Sequence, residues 1–421
     1  MQKDRDLEGI ATIILAAGKG TRMKSDLVKV LHPILGLPML SYPIDLSLKG
    51  IKSEKTIVVV GYQADKIKER FKDPQIQFAL QKEQLGTGHA VLQAIPFLKT
   101  FTGTVLILCG DVPLVKADTL HSSIEAFWKS DSILSVLTTV VEDPFGYGRI
   151  VRSSEGWIKK IVEEKDSTKE EKSIREVNTG IYCVKAPFLI DGLSKIEKNN
   201  AQGEYYLTDL VEIAEKKGLR CSAYIVPDPV EVMGINTRID LAVANEVLKL
   251  EKLKELMLSG VTVLDPKTTY VERGVEVGRD TTISPNCCLH GVTRIGERCI
   301  IESNSKITNS MIGNEVKICS NSVITESKIE EGAVIGPFAH LRPLTEVKAR
   351  GKIGNFVEVK KSGIGKASKA DPLSRLGDSK VEKGVNVGVI SRARQRNIKG
   401  WSKRIEHRQK KKSNRNKKSE G

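Results

Sequence analysis

The sequence predicts an α/β protein in two folded parts. First comes a mostly parallel sheet flanked by helices, then a left-handed parallel β-helix, with a charged tail after it. Three observations carry this reading. Apolar, β-branched runs alternate with amphipathic segments up to about residue 227. An aliphatic residue then recurs every six positions from Val277 to Val387. Beyond Gly388 large apolar residues almost vanish and like charges crowd together.

The first part reads strand by strand. ATIILAA (11–17), KTIVVVG (55–61), IQFAL (76–80), TVLILCGD (104–111) and SILSVLTTVV (132–141) are short apolar runs. Helical patterns such as GHAVLQAIPFL and KADTLHSSIEAFW lie between them. That alternation implies a mostly parallel, Rossmann-like sheet covered on both faces. Ligands of such sheets sit at the carboxyl ends of strands, where LAAGKGTRM (15–23) and LCGDVP (108–113) begin. The expected domain spans 1–236.

A helical pattern, IDLAVANEVLKLEKLKELML, makes 237–260 a connector. The six-residue phase then runs through 283, 289, 295, 301 and 307, shifts by one near 312 and 329, and resumes at Ile364, Leu376, Val381 and Val387. Neither a helix nor an ordinary strand has that period. It is the hexapeptide signature of a parallel β-helix, expected over 261–388. Residues 389–421 should be disordered.

Composition bounds the function. The 421 residues carry a net charge of +15, but thirteen Lys/Arg against two Glu place +11 of it after Gly388, leaving about +4 for the rest. A basic tail holding one Trp predicts at most nonspecific, salt-sensitive contact with polyanions and no specific nucleic-acid site. Seven cysteines without a C-x-x-C pair imply free thiols in a reducing cytoplasm. No run is long enough for a membrane span, and the first apolar run is too short for a signal peptide.

LAAGKGTRM has two glycines after a strand, so backbone N–H groups can face a polyphosphate, with Arg22 and Lys29 to neutralise it. It is neither G-x-G-x-x-G nor a Walker A loop. Asp111 follows an apolar strand in a Gly-Asp step, a placement that favours a metal ligand over a cap. His89 opens an apolar helix and reads as a structural cap.

Further segments follow in order, each expected at a strand end: LQKEQLGTGHA (80–90), CGDVPL (109–114), GYGRI (146–150), VEEKD (162–166), VNTGI (177–181), NAQGEYYLTD (200–209) and GINTR (234–238). With the hexapeptide repeat they resemble the bacterial bifunctional family that is both N-acetylglucosamine-1-phosphate uridyltransferase and glucosamine-1-phosphate acetyltransferase, over about residues 10–388. The resemblance implies Mg²⁺-dependent transfer of UMP from UTP to N-acetylglucosamine-1-phosphate in the cytoplasm, and a homotrimer through the β-helix. It implies that Ala16, Ala17, Gly18, Gln81, Gly86, Thr87 and Gly110 cradle the nucleotide. Arg22 and Lys29 would act on the phosphates, Asp111 and Asn236 would hold the metal, and Gly148, Glu163, Asn178 and Asn236 would place the sugar. Val28 stands where the family usually has proline.

In the acetyltransferase half, Arg342, Lys360 and Asn386 match sugar-phosphate contacts. The histidine that deprotonates the sugar amine and a nearby tyrosine are replaced by Pro372 and Arg375, and proline cannot act as a base. Where the family continues with Ala-Gly-Thr and coils for acetyl-CoA, this chain has Val389 and the charged tail, which suggests a frameshift or truncation near codon 389. Acetyl-CoA is therefore expected as a cofactor only if that half were functional. Two alternatives stand beside this reading: a nucleotidyltransferase for another hexose phosphate or another nucleoside triphosphate, and a scaffold or polyanion binder working through its tail.

Overall fold

A computed structural model describes residues 9–388. The expected disorder of 389–421 lies outside the described residues. The first part is a nine-stranded sheet of β1 (Ile10–Ala16), β2 (Lys55–Val60), β3 (Ile76–Leu80), β4 (Thr104–Cys109), β5 (Leu134–Val140), β6 (Arg149–Arg152), β7 (Ile158–Val162), β8 (Glu176–Lys185) and β9 (Cys221–Ile225). Its spatial order is β9-β5-β8-β4-β1-β2-β3, with β6 paired to β8 and to β7.

β1, β2, β3 and β4 are mutually parallel neighbours, and β5 is parallel to β9. The expectation of a mostly parallel sheet needs one correction. β8 runs antiparallel between β4 and β5, and the β6–β7 hairpin extends from it. VNTGI also belongs inside β8, where the register with β5 shifts between Asn178 and Tyr182, and not at a strand end.

Alternation along each strand builds two cores, one per face. Ile13, Ile57, Val59, Val105 and Ile107 pack on one side; Ile14, Val58, Val60, Leu106 and Leu108 pack on the other. Every one of these residues is buried. Parallel central strands with both faces covered have no polar side to present, which explains their near-continuous apolar runs.

The helix Arg238–Leu258 starts at a capping box: Thr237 Oγ1 accepts from Asp240 N at 3.2 Å, and Thr237 N donates to the Asp240 carboxylate at 2.8 Å. Beyond it three parallel sheets of eight, seven and seven short strands stack from Thr262–Val263 to Asn386–Val387 as a left-handed β-helix. Equivalent positions lie one coil apart, Ile301 on Ile318 and Ile335 on Ile353, so a coil takes 17 or 18 residues. Ile283, Ile301, Ile318, Ile335 and Ile353 form one wholly buried column, which Ala370 continues.

All three corners of a coil take a left-handed backbone, and one of them runs through Asn286 and its equivalents. Asn286, Asn304 and Asn321 fill it in the early coils, where their short side chains tolerate αL. Later coils put Phe338, Phe356 and Leu373 at the same corner, all exposed, and the two phenylalanine rings stack 4.9 Å apart.

Candidate active site

The carboxyl ends of β1, β2, β3 and β4 make one rim of the sheet. The loop after β1 passes through buried Ala16 and Ala17 to exposed Gly18. A Cβ on Gly18 would meet nothing, so open space lies above it. Gly20, one of the two loop glycines but not among the residues expected to cradle the nucleotide, is the sterically required one: its φ is +65°, and a Cβ there would lie 2.5 Å from Lys29 Cβ. The second glycine of the loop therefore allows Lys29 to pack against it. Val28 has φ −58°, close to proline's fixed value, so the backbone there takes the dihedral a proline would impose.

Lys29, Arg22, Asp111 and Asn236 meet although they are distant in sequence. Lys29 Nζ donates to Asp111 Oδ2 in a close ion pair and to Asn236 Oδ1 at 3.2 Å. Arg22 Nη2 donates to the same Asn236 oxygen at 2.8 Å. The backbone fixes both oxygen donors. Gly110 N bonds Leu15 O at 2.9 Å, and Ile235 N bonds Asp111 O at 2.8 Å. Asp240, the capping-box carboxylate, also accepts from Asn236 N at 2.9 Å. The T-x-x-D pattern at 237–240 was a readable signal for this support.

A second cluster gathers the residues expected at the sugar. Asn178 N donates to Gly148 O at 2.8 Å, and a Cβ on Gly148 would lie 3.4 Å from Glu163 Oε1 and 3.5 Å from Asn178 Cβ. The tight neighbour is Ile161 Cγ2, 3.0 Å from that Cβ, so a larger residue at 148 would press on β7, while its contacts with Glu163 and Asn178 would be ordinary. Asn178 Nδ2 donates to the Tyr182 hydroxyl at 2.8 Å, and its Oδ1 accepts from Gly180 N at 2.9 Å. Burial pushes the Glu163 carboxyl above its usual pKa, opposed by the Thr208 hydroxyl, which donates to it at 3.4 Å. Burial likewise raises the Tyr182 phenol. Asn236, expected at both metal and sugar, bonds to Arg22 and Lys29 and so lies in the first cluster, with Asp111. The two clusters adjoin through Cys109 Sγ, which donates to Gly180 O at 3.4 Å.

Arg149 belongs to the site's frame and was not anticipated. Its side chain is 2% exposed and donates to Glu164 Oε2 at 2.6 Å and to Tyr147 O. It braces the GYGRI turn that carries Gly148.

The loop after β3, expected at the nucleotide, is held by the 205–207 segment. Gly88 N bonds Tyr205 O, Tyr205 N bonds Leu85 O, and Leu207 N donates to Thr87 Oγ1 at 3.1 Å. A Cβ on Gly86 would lie 2.5 Å from Tyr205 O, and the residue has φ +109°. Gln81 is buried, with Nε2 donating to Gly86 O at 3.1 Å and placed 3.1 Å from His89 Nδ1. His89 is not the cap expected of it. Gly86 is the N-cap of the helix Thr87–Leu92, and His89 sits inside the helix, bonded to neighbouring amides.

On the β-helix, Arg342 Nη1 and Arg375 Nε both bond the Glu358 carboxylate, at 3.0 and 3.3 Å, and hold it below the usual carboxylate pKa. Lys360 is exposed two residues along the same strand. Asn386 lies on a different sheet, beside Lys369, and Pro372 is exposed in the turn after Ala370.

The fold and the two clusters define a nucleotidyltransferase, and the nucleotidyl transferase family model matches residues 11–228. Full-length comparison narrows the class. The bifunctional protein GlmU of Geobacter metallireducens is 52% identical over 397 aligned positions, covering 90% of this chain and 83% of that protein. The GlmU proteins of Geotalea uraniireducens and Geobacillus thermodenitrificans are 49% and 48% identical, over 91% and 90% of this chain and 84% and 82% of theirs. The chain belongs to the family of these bifunctional GlmU proteins. It is a nucleotidyltransferase that makes UDP-N-acetylglucosamine by uridyl transfer, in a family that uses Mg²⁺. Among the described residues no helix is long and apolar enough to cross a membrane.

Proposed function

We propose that the residues gathered at the sheet rim perform this uridyl transfer on UTP and N-acetylglucosamine-1-phosphate in the cytoplasm. The observation that carries the reading is the convergence of Lys29, Arg22, Asp111 and Asn236 beside the Gly148, Glu163 and Asn178 cluster. A phosphate oxygen of the sugar phosphate attacks the α-phosphorus of UTP, the new P–O bond forms, and the bond to pyrophosphate breaks. The nucleophile is already an anion, so no side chain need remove a proton. Positioning and charge neutralisation do the work.

The donor set fits Mg²⁺. A carboxylate oxygen and an amide oxygen converge on one cationic position, held here by the Lys29 ammonium, and hard oxygens of this kind suit the ion when substrate oxygens complete its shell. Bound there by Asp111 and Asn236, it would supply Lewis-acid neutralisation of phosphate charge. Lys29, released from Asp111, then has its donors free for the triphosphate, and Arg22 offers its guanidinium from the exposed side of the loop. Glu163 and the Asn178 amide orient the amino-sugar through its hydroxyl and N-acetyl groups. Ala16, Ala17, Gly18 and Gly110 leave room for the nucleotide, while Gln81, Gly86 and Thr87 form the wall facing its base.

The acetyltransferase half we read as inactive on glucosamine-1-phosphate. Pro372 stands at the place of the general base, and Arg375 is engaged by Glu358. Arg342, Lys360 and Asn386 remain as phosphate- and sugar-binding remnants, with no role for acetyl-CoA. Trimer assembly through the β-helix is part of this reading, supported by the exposed Phe338–Phe356 stack, and light scattering in solution tests it. The reaction itself is tested by pyrophosphate release with UTP, dTTP and ATP against several sugar phosphates. Preference for UTP with N-acetylglucosamine-1-phosphate is expected; a faster reaction with another pair would overturn the substrate assignment.

A further inference from the structure

His89 lies beside the nucleotide wall without facing the reacting phosphates, and its hydrogen bonds are specific. Its Nδ1 is 3.1 Å from Gln81 Nε2, its Nε2 is 3.2 Å from Gln93 Nε2, and its ring stacks on Tyr205 with centroids 6.1 Å apart. Gln81 is 3% exposed, so its amide has little freedom to trade partners with water. One of its two amide hydrogens goes to Gly86 O.

The carbonyl of Gly86 can only accept, so Gln81 must keep its NH₂ group inward. The other amide hydrogen then points to His89 Nδ1, which must be an acceptor. Gln93 Nε2 also donates to the His89 carbonyl at 3.1 Å, so both amides as placed ask the ring for an acceptor, and a neutral imidazole has only one. The buried Gln81, with little water to turn to, takes it at Nδ1, so Nε2 carries the proton and the half-buried Gln93 gives up its bond to His89 O to turn its amide oxygen toward it. Both hydrogens of Gln81 are thereby used, and Oε1 is the amide atom left to bond a ligand.

We infer that His89 is a positioning residue for nucleobase selection, holding the Gln81 amide so that an acceptor, not a donor, meets the base. The inference rests on the reading of Gln81 as part of the nucleotide wall. Uracil offers a donor at N3–H, which an amide oxygen can accept. Cytosine has an unprotonated N3 in that place, and two lone pairs would oppose each other. A Gln81 amide free to turn over would present N–H and lose that distinction. A site built to satisfy a hydrogen-bonding edge discriminates strongly because the wrong partner leaves polar groups unpaired.

The test compares kcat/KM for UTP and CTP in His89→Ala, His89→Asn, His89→Gln and Gln81→Leu. Asparagine can place an acceptor where Nδ1 stands, whereas glutamine reaches only toward the Nε2 position. The UTP:CTP ratio should fall about five- to tenfold in His89→Ala, the scale of one neutral hydrogen bond, mostly through KM for UTP. His89→Asn should retain the ratio and His89→Gln should lose it. Gln81→Leu should lower it at least as far. If His89→Ala does not fold, as judged by circular dichroism, the Asn and Gln variants decide. A fall in Gln81→Leu with an unchanged ratio in the histidine variants would overturn the positioning role and leave Gln81 as the base contact. An unchanged ratio in Gln81→Leu would remove Gln81 from base recognition, and the inference with it.

Discussion

Asp111→Asn isolates the charge at the phosphate-side cluster with little change of shape. In the structure Asp111 Oδ2 pairs with the Lys29 ammonium, which also donates to Asn236 Oδ1 at 3.2 Å. Asparagine keeps an oxygen there but removes the negative charge that draws a divalent ion. Metal neutralisation of phosphate charge contributes several kcal/mol to such reactions, and each 1.4 kcal/mol is a factor of ten. Loss of about 3–4 kcal/mol gives a rate lower by on the order of 10²–10³. The apparent affinity for Mg²⁺ should weaken together with the rate. The assay is pyrophosphate release at saturating UTP and N-acetylglucosamine-1-phosphate across a Mg²⁺ titration, with thermal unfolding monitored alongside. The Lys29–Asp111 pair is partly exposed, so its own contribution to stability is at most about 1–2 kcal/mol and should not unfold the sheet. A folded variant with the normal rate and an unshifted Mg²⁺ midpoint would refute the metal assignment.

Lys29→Ala and Arg22→Ala should each slow turnover by on the order of 10²–10³ in the same assay, because each removes a charge aimed at the phosphates; two neutral substitutions would contradict the mechanism. Asp209 is pushed up to about 6 by burial, with Glu212, Glu163 and Asp166 adding to the shift. The folded state therefore binds this proton more tightly than the unfolded chain, and the penalty for ionising it develops as pH rises from about 4 to about 6. Asp209→Asn should raise the denaturant midpoint at pH 8, by about 1 kcal/mol after allowance for solvent screening, and lose that advantage near pH 4. Val28→Pro should change stability by less than about 1 kcal/mol and keep uridyl transfer, because φ is already −58°; collapse of activity would show that the Val28 side chain matters at Lys29.

Much of this was legible because local physics and tertiary structure agree. The aliphatic column of the β-helix follows from the six-residue period, since each member must face the one shared core. The parallel heart of the sheet follows from strands apolar on both faces. What escaped was set by partners distant in sequence. Nothing near Glu176–Lys185 says that this strand inserts antiparallel between two others. The demand for Gly20 appears only when Lys29 folds back onto it. His89 resembled a cap because it is near a helix start, but its role depends on Gln81, which arrives from the preceding strand. Asn236, Lys29 and Arg22 could be listed from motifs, whereas their sharing of one amide oxygen is a fact of three dimensions.

The most direct test pairs two assays on one preparation of the protein, one for pyrophosphate and one for free CoA. With Mg²⁺, UTP and N-acetylglucosamine-1-phosphate, pyrophosphate should appear in step with UDP-N-acetylglucosamine. With acetyl-CoA and glucosamine-1-phosphate, CoA should not rise above the rate without sugar, and Pro372→His alone should not restore it. Failure to release pyrophosphate would contradict the uridyl-transfer site, and sugar-dependent CoA release by the unaltered chain would contradict the reading of its β-helix.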